Sequence, residues 1–377
     1  MVEDLPRSTT LRSASLDRML VAQLPDQINL LDAMMQATER ADPRYRPTNY
    51  WAVYRDMYLP GLRRRGLRDF RRDRYGIMDA FGAADLKIAP VVRVYLPRGG
   101  GLLGQLMTRA FARMPNIELA LHGIQHDNVV RYFHGLTKRK FETIGLRLAE
   151  YGINRIGNPE DVVEIEDVLW SFSQLVMCSL FADAMARMDL GEDPVICELG
   201  TGMGRHAEMF AAARPRATIL LFDIPPQLYV MNQYLKAARP DRVVPYERAV
   251  EVSPGAELPV EWRGKIVVLP AWRMPDWRGL KANLFWNCAS FQEMEPNVVE
   301  NYLGIVTDWR PECIYISAAP NGQWRGARRP GEGGVREPVT EALYRKTLEG
   351  AGYRLAERYP TDYYLKPDRA VSFVFRV

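Results

Sequence analysis

An acidic residue followed by three alternating glycines is the stretch of this sequence with the clearest chemical content. Residues 195–210 read VICELGTGMGRHAEMF, with Glu198 ahead of Gly200, Gly202 and Gly204. Glycines let a backbone turn sharply and come close to a ligand, and the last of them lets the following helix pack near the strand. The carboxylate of Glu198 would repel a pyrophosphate, but it can pair with an ammonium group. The pattern therefore favours a ligand that carries an ammonium group.

A second carboxylate is predicted at the end of the next strand. Asp223 ends the apolar run ATILLF, 19 residues beyond Gly204. A carboxylate at this position can accept hydrogen bonds from both hydroxyls of a ribose. The glycine spacing is G-x-G-x-G, whereas dinucleotide sites typically have G-x-G-x-x-G. Together with Glu198 and a strand pair predicted at the end of the chain, these features favour S-adenosylmethionine over NAD.

The residues predicted to bind this cofactor follow successive strands. Glu198 would pair with the ammonium group, the glycine backbone would approach the ligand, and Asp223 would bind the ribose. The segment after the third strand contains tryptophan and would border the adenine. The complete predicted set is Glu198, Gly200, Thr201, Gly202, Gly204, Arg205, Asp223, Ile224, Ala271, Trp272 and Asn287.

Methyl transfer to a hydroxyl, which the family resemblance given below implies, requires an acceptor oxygen held in line, and a positioned base accelerates it further. The segment NCASFQEM, residues 287–294, begins at the end of the fourth strand and would face the acceptor. Glu293 is the first candidate for a base or a substrate-binding carboxylate. A carboxylate that only stabilises a helix N terminus is the alternative. His126 and His134 are the other candidate bases, with partly buried packing histidines as their alternative.

Side chains suited to a polyol acceptor surround this segment. Ser290 and Gln292 supply a hydroxyl and an amide, and Tyr229 follows the sequence DIPPQL, where a core aromatic is the alternative. Asn321 and Arg325 lie in a glycine- and arginine-rich loop after the fifth strand, which is either a lid over the substrate or a solvated loop. No metal site is predicted, because no paired acids follow the fourth strand and the cysteines lack paired spacing.

The elements that must position these residues divide the chain into two predicted parts. Residues 1–190 read as mainly helical, with a substrate-binding or oligomerisation role, and include a helix predicted over 166–188 from its apolar spacing. Residues 191–377 alternate strand and helix. This alternation predicts an α/β fold with a Rossmann-like, seven-stranded, mostly parallel sheet and a C-terminal antiparallel hairpin. Ligands bind at the carboxyl ends of the strands of such sheets.

Several segments resemble known methyltransferases. ICELGTGMGRHAEMF is similar to motif I of class I S-adenosylmethionine-dependent methyltransferases. FDIPPQLYVMNQYL, residues 222–235, and NCASFQEM resemble a family of sugar O-methyltransferases from bacterial polysaccharide and natural-product clusters, which shows D-I-P-P-x-L-Y and S-F-Q-E-M in this order. Residues 49–72 match more loosely, with Arg68 and Asp69 departing from the usual asparagine. The resemblance covers residues 50–377 and implies a sugar acceptor that is a nucleotide sugar, a polysaccharide or a glycosylated natural product.

The composition limits the kinds of partner. The chain has 377 residues, 47% of them hydrophobic and 25% charged, which is ordinary for a globular protein. The net charge of +4 does not call for a nucleic acid, and none is predicted as a partner. No apolar run is long enough to span a membrane, and the N terminus lacks the apolar core of a signal peptide. We expect a cytoplasmic protein, and a homo-oligomer is left open.

The sequence thus predicts an S-adenosylmethionine-dependent O-methyltransferase that acts on a small-molecule or glycan acceptor. An NAD-dependent oxidoreductase is one alternative, but it would need the G-x-G-x-x-G spacing without a preceding glutamate. A methyltransferase-like binding protein without activity is another. Such a protein would be expected to lose loop or acid positions, whereas Glu198, Gly200, Gly202 and Asp223 are all present.

Overall fold

The computed structural model of the protein describes residues 26–72, 115–159, 162–322, 333–361 and 370–377, without the side chains of 115–125. The described residues group into two compact units. The first unit comprises those within Met1–Ala83, Asn154–Pro159 and Met188–Val377, and the second those within Ala84–Ile153 and Glu160–Arg187. The division of the chain near residue 190 stays a prediction.

The strands and helices of the described residues are numbered in chain order. The strands are β1 (Val162–Ile165), β2 (Val168–Ser171), β3 (Val195–Leu199), β4 (Thr218–Asp223), β5 (Val243–Val244), β6 (Ile266–Pro270), β7 (Leu284–Cys288), β8 (Cys313–Ala318), β9 (Arg354–Pro360) and β10 (Val371–Arg376). The α-helices are α1 (Ile28–Arg40), α2 (Asn49–Arg65), α3 (Pro115–Thr143), α4 (Phe172–Met185), α5 (Arg205–Ala213), α6 (Gln227–Ala238), α7 (Tyr246–Ala249), α8 (Pro296–Trp309) and α9 (Glu341–Gly350). Short 3-10 helices span Pro43–Tyr45, Leu148–Tyr151, Val260–Trp262, Ala271–Trp277 and Phe291–Glu293.

An eight-stranded sheet forms the centre of the first unit, in the order β5-β6-β4-β3-β7-β8-β10-β9. The six neighbouring strands from β5 to β8 in this order are all parallel. Strand β10 is antiparallel to both of its neighbours, β8 and β9. This confirms the predicted Rossmann-like α/β fold with its C-terminal antiparallel hairpin. The strand count is eight rather than seven, because the two-residue strand β5 adds to the edge of β6.

The strand order reverses at β3, which lies between β4 on one side and β7 on the other. Such a reversal leaves a crevice at the carboxyl ends of the central strands, where ligands of this fold class bind. The central strands β4, β6 and β8 are mostly apolar because helices cover both faces of a parallel sheet, and every residue of these three strands is buried. Helix α8 contributes Val299, Leu303 and Val306 to this core, at the spacing of one helix face.

The second unit contains an antiparallel hairpin where the sequence predicted part of a helix. β1 and β2 pair with Val163 opposite Trp170, and the helix begins only at Phe172. Glu166 and Asp167 form the two-residue turn with φ of 53° and 63°, as the tight turns of hairpins require. The prediction of a helix over 166–188 was wrong in its first turn, because Trp170 satisfies both the strand period and the helix period.

The rest of the described part of the second unit is mainly helical. Helices α3 and α4 pack through aromatic rings, with Phe133 edge-on to Phe172 at 4.8 Å between ring centroids. Lys140 of α3 donates to Asp183 of α4 at 2.6 Å. Across the described residues, we find no helix with the length and apolarity needed to span a membrane.

Candidate functional site

The loop after β3 turns on glycines whose backbone is in the left-handed region. Gly200 has φ of 74° and Gly202 has φ of 58°, values that other residues adopt only with strain. Gly200 also lies against the loop that follows β7. A Cβ atom at this position would come within 2.2 Å of the Ser290 side chain. Gly200 is therefore required both by its backbone conformation and by the space available to it.

Asp223 at the end of β4 holds this glycine loop. Its Oδ2 atom accepts a hydrogen bond from the Gly202 N–H at 2.9 Å, and its Oδ1 atom accepts one from the Ile224 N–H at 2.7 Å. Parallel pairing of Leu199 with Phe222 brings the two strand ends together. Burial raises the pKa of Asp223 to about 7. Each carboxylate oxygen has a second lone pair, so Asp223 can still accept hydrogen bonds from ligand hydroxyls.

Glu198 is buried beneath the loop and pairs with His206 of α5. The Oε1 atom of Glu198 lies 3.0 Å from Nδ1 of His206, and the two residues are 1% and 5% exposed. Burial raises the pKa of Glu198, and the hydrogen bond from His206 opposes this shift. The Oε2 atom of Glu198 has no hydrogen-bond partner among the described residues. A buried oxygen without a partner is costly, and the ammonium group of S-adenosylmethionine would satisfy it.

The His206 partnership is one that sequence reasoning missed. The available signal was its place in the first turn of α5, directly after the glycine loop. The ring of His206 packs edge-on against Trp286 of β7, with 5.1 Å between ring centroids. This contact and the hydrogen bond to Glu198 together fix the orientation of the imidazole.

Three predicted site residues after β7 hold the loop in place. Asn287 donates from Nδ2 to the Leu199 carbonyl at 3.0 Å and to Ser290 Oγ at 2.6 Å. Ser290 Oγ donates to the same Leu199 carbonyl at 3.0 Å, and Gln292 Oε1 accepts from the Ala319 N–H at 2.8 Å. All three side chains are buried. Their hydrogen bonds tie this loop to the ends of β3 and β8.

Glu293 ends the short helix Phe291–Glu293 and is partly exposed. Its carboxyl group forms hydrogen bonds with the side chains of Tyr50 and Trp51, at the start of α2. Burial raises the pKa of Glu293 to about 8, the two hydrogen bonds oppose this shift, and the charge of Asp223 adds to it. Glu293 and Asp223 therefore belong to one group of interacting carboxyls at the carboxyl edge of the sheet.

The other predicted cofactor residues line the same edge. Ala271 is buried and Trp272 partly buried at the start of the helix Ala271–Trp277, directly after β6. Thr201 and Arg205 are buried, and the Thr201 hydroxyl lies 3.5 Å from Asp223 Oδ2. The chain thus brings the predicted cofactor residues together at the ends of β3, β4, β6 and β7.

The remaining candidates have surroundings of a different kind. Tyr229 is fully buried, and burial raises its pKa to about 12. Asn321 is exposed, and Arg325 lies outside the described residues.

In the second unit, His126 Nδ1 is 3.4 Å from Asp127 Oδ1. His134 packs edge-on to Trp170 at 5.2 Å, and burial lowers its pKa. Tyr229 and His134 therefore have surroundings that are typical of packing residues.

No group of three or more histidines, cysteines, aspartates or glutamates within the described ranges is arranged to hold a metal ion. The acidic residues at the carboxyl edge have other partners. Asp223 binds backbone N–H groups, and Glu293 binds the side chains of α2.

No family model matches this chain, and no curated protein matches it. Several solved structures are similar to part of this chain. A SAM dependent methyltransferase from Aquifex aeolicus is 13% identical, with 52% of this chain and 88% of the other covered and a TM-score of 0.34. A structure described as PigF with SAH is 13% identical, covers 51% of this chain and 52% of its own, and has a TM-score of 0.34. The mitomycin 7-O-methyltransferase is 14% identical, with 51% of each chain covered and a TM-score of 0.34. This chain spans about half the length of the last two, and the likeness concerns the fold alone.

Proposed function

We propose that the protein is an S-adenosylmethionine-dependent O-methyltransferase. One observation carries the proposal. A buried carboxylate with an unpartnered oxygen, Glu198, lies beneath a left-handed glycine turn, and Asp223 lies at the end of the adjacent strand. A cationic amino acid joined to a ribonucleoside matches both carboxylates. A pyrophosphate would meet two negative charges instead, which disfavours a dinucleotide.

The chain's residues have distinct roles toward this cofactor. Glu198 Oε2 binds the ammonium group, and Gly200 and Gly202 let the backbone approach the ligand. Asp223 binds the ribose hydroxyls, and Ala271 with Trp272 borders the adenine. When bound, the cofactor supplies a methyl group on a positively charged sulfur. That positive charge near Asp223 and Glu293 favours their ionised forms.

Glu293 is the proposed base for the acceptor hydroxyl. A pKa of about 8 leaves about one tenth of it ionised at pH 7 and places its titration near the working pH, which suits a general base. Glu293 accepts the hydroxyl proton while the acceptor oxygen forms a bond to the methyl carbon. The electron pair of the broken S–C bond stays on sulfur. His126 and His134 are retained as alternative bases, but among these three candidates an interaction with Asp223 is described only for Glu293.

The acceptor is proposed to be a sugar hydroxyl. Support for this finer assignment comes from the D-I-P-P-x-L-Y and S-F-Q-E-M elements, which resemble those of sugar O-methyltransferases. An assay with labelled methyl donor against nucleotide sugars, glycans and glycosylated natural products identifies the acceptor. If the protein methylated a non-sugar hydroxyl and none of these acceptors, the sugar assignment would be wrong. The assignment as an O-methyltransferase would still hold.

Calorimetry tests the cofactor assignment. We expect S-adenosylmethionine to bind and NAD not to bind. Glu198→Gln keeps the size of the side chain but removes its charge, so affinity for S-adenosylmethionine should fall about 10- to 100-fold, as for the loss of a charged hydrogen bond. Glu192→Gln is the matched control, since Glu192 is a highly exposed acid in the same unit, and it should bind normally. Unchanged affinity in Glu198→Gln would contradict the ammonium pairing, and binding of NAD alone would contradict the function.

A further inference from the structure

A cavity of about 460 Å³ lies among three segments of the first unit. Its walls come from residues 41–45, from residues 272–278 and from residues 301–309 of α8. Sites for small molecules have volumes of about 300–1,000 Å³, so the cavity can hold one. Of the described residues of the proposed cofactor set, only Trp272 lines it. The cavity therefore has walls that the proposed cofactor site does not use.

The cavity walls carry aromatic rings that are anchored in the core. Tyr45 is 6% exposed, and its ring centroid lies 5.7 Å from that of Tyr302. Trp309 is 2% exposed, and its ring centroid lies 5.9 Å from that of Phe222 in β4. Together with Trp272, these rings give the cavity flat apolar walls that suit the face of a ring. Because the core holds Tyr45 and Trp309 in place, little ordering is needed when a ligand binds.

The charged residues around the cavity fall into a paired and an unpaired set. Arg44 donates to both carboxylate oxygens of Asp42, from Nε at 3.2 Å and from Nη2 at 2.8 Å. The side chain and the backbone N–H of Arg44 hold the pKa of Asp42 at about 2, so this ion pair is present at neutral pH. Arg278 and Asp308 are exposed, and no ion pair is found for either among the described residues. These two charges are therefore available to a ligand.

Donors outnumber acceptors among the unpartnered polar groups of the walls. Asn301 Nδ2 and Trp309 Nε1 are buried and have no hydrogen-bond partner in the part of the chain that the structure describes. Arg278 adds a guanidinium group with five N–H donors, whereas Asp308 contributes an acceptor. A buried donor without an acceptor is costly, so a ligand oxygen that reached Asn301 or Trp309 would be stabilising. The walls thus favour a ligand that is rich in acceptor oxygens and carries negative charge.

We propose that this cavity is a second ligand site, separate from the proposed methyl-donor site, and that it binds a flat ring bearing an anionic group. The ring packs on the aromatic walls, the anionic group pairs with Arg278, and an N–H or O–H group of the ligand donates to Asp308. A nucleoside monophosphate and an aromatic carboxylate share this chemistry. The site does not depend on methyl transfer, because neither Arg278 nor Asp308 has a role in that reaction.

Ligand-observed NMR and calorimetry on the full chain test the site, with and without saturating S-adenosylhomocysteine. The anionic probes are uridine 5′-monophosphate and indole-3-acetate, and their neutral counterparts are uridine and indole-3-acetamide. We expect one of the two acids to bind, with or without S-adenosylhomocysteine. Its neutral counterpart should bind about tenfold more weakly, as for the loss of one charged hydrogen bond. The preferred acid identifies the nucleotide or the carboxylate source.

Gly304→Leu tests whether the acid binds in the cavity. Gly304 lines the cavity and has no atom within 4 Å of its would-be Cβ, so a leucine side chain occupies free space rather than the core. Binding of the acid should weaken at least tenfold. Gly350→Leu is the matched control, since Gly350 is an exposed glycine of α9 with the same free space and does not line the cavity. This control should bind like the wild type.

Arg278→Gln tests the anionic group separately. Arg278 is exposed, so this variant remains informative even if Gly304→Leu fails to fold. It should weaken binding of the acid about tenfold and leave binding of the neutral counterpart unchanged. Arg263→Gln is the control, because Arg263 is an exposed arginine of the same unit that does not line the cavity.

The outcomes separate this inference from the proposed function. Loss of acid binding in Gly304→Leu and in Arg278→Gln, with both controls unchanged, supports the site. Binding of neither acid, or unchanged binding in either test variant, overturns it. Displacement of the acid by S-adenosylhomocysteine would place the ring in the cofactor site and would also overturn a second site. Absence of S-adenosylmethionine binding in the wild type would contradict the proposed function without affecting the result for the cavity.

Discussion

At the scale of single residues, the site depends on carboxyl groups kept in unusual surroundings. Within the described part of the chain, Glu198 has one oxygen bound by His206 and one without a hydrogen-bond partner, whereas Asp223 has a backbone N–H group on each oxygen. The difference fits two roles, since Glu198 is left to bind a charged group and Asp223 is held rigid to bind neutral hydroxyls. We propose that His206 is a positioning residue, because its hydrogen bond fixes the direction of the Glu198 carboxylate.

The raised pKa of Glu293 leads to a prediction of how activity depends on pH. A base works in its ionised form, so a pKa raised to about 8 means that kcat/KM should increase as pH rises through that value. Glu293→Gln should lower kcat by about 10² to 10⁴-fold, the usual contribution of a general base, and should lose this rise with pH. Its affinity for S-adenosylmethionine should change little. A pH–rate profile of both proteins checks this, and the same rise in Glu293→Gln would assign the base to another residue.

At the scale of elements, the turn after β3 is the part least tolerant of change. Gly200→Ala places a methyl group 2.2 Å from Ser290 on a backbone with φ of 74°. We expect a loss of about 1–3 kcal/mol in the free energy of unfolding and a marked loss of cofactor affinity, because the loop must move. Urea unfolding and calorimetry measure the two effects.

Gly304→Ala is the matched control for this substitution. Gly304 is exposed within α8, has no atom within 4 Å of its would-be Cβ, and has an ordinary backbone conformation. Alanine should therefore stabilise the helix by about 0.5–1 kcal/mol. If both variants lost the same stability, the close approach to Ser290 would not be the cause.

The sequence predicted elements well where the pattern was unambiguous. β4, β6 and β8 are apolar runs bounded by glycine, proline or aspartate, and each forms a buried strand. The apolar pattern of Val168 to Trp170 fits both the strand period and the helix period. Pairing with β1 makes this segment a strand. Ser290 was predicted to bind a polyol and Asn287 to bind the cofactor, but their use in holding the loop depends on the Leu199 carbonyl, which no local pattern reveals.

At the scale of the whole molecule, the site combines residues that are remote in the chain. Alternation of strands with helices predicts parallel strands whose carboxyl ends share one edge of the sheet, so the placement of Glu198 and Asp223 near the same edge was predictable. The contact of Glu293 with Tyr50 and Trp51 was not, because packing between distant segments depends on shapes that composition and periodicity do not encode.

Two carboxyl groups of the site should make the stability of the whole protein depend on pH. The pKa of Asp223 is raised from 3.8 to about 7 and that of Glu293 from 4.5 to about 8. Between the unfolded and folded pKa values the folded state binds more protons, so this contribution to stability is complete below about pH 4 and is lost as pH rises through 7 to 8. The ligand-free protein should therefore unfold at lower temperature at pH 8.5 than at pH 6.

A cationic cofactor should reverse part of this loss, because it stabilises the ionised carboxylates that high pH produces. We expect S-adenosylmethionine to raise the unfolding temperature more at pH 8.5 than at pH 6. The double variant Asp223→Asn, Glu293→Gln should have a flatter pH dependence without ligand, since neither amide titrates. Thermal unfolding followed by circular dichroism across this range measures both effects. An equally steep loss of stability in the double variant would show that other groups cause it, and that these two carboxyls are already ionised in the folded protein.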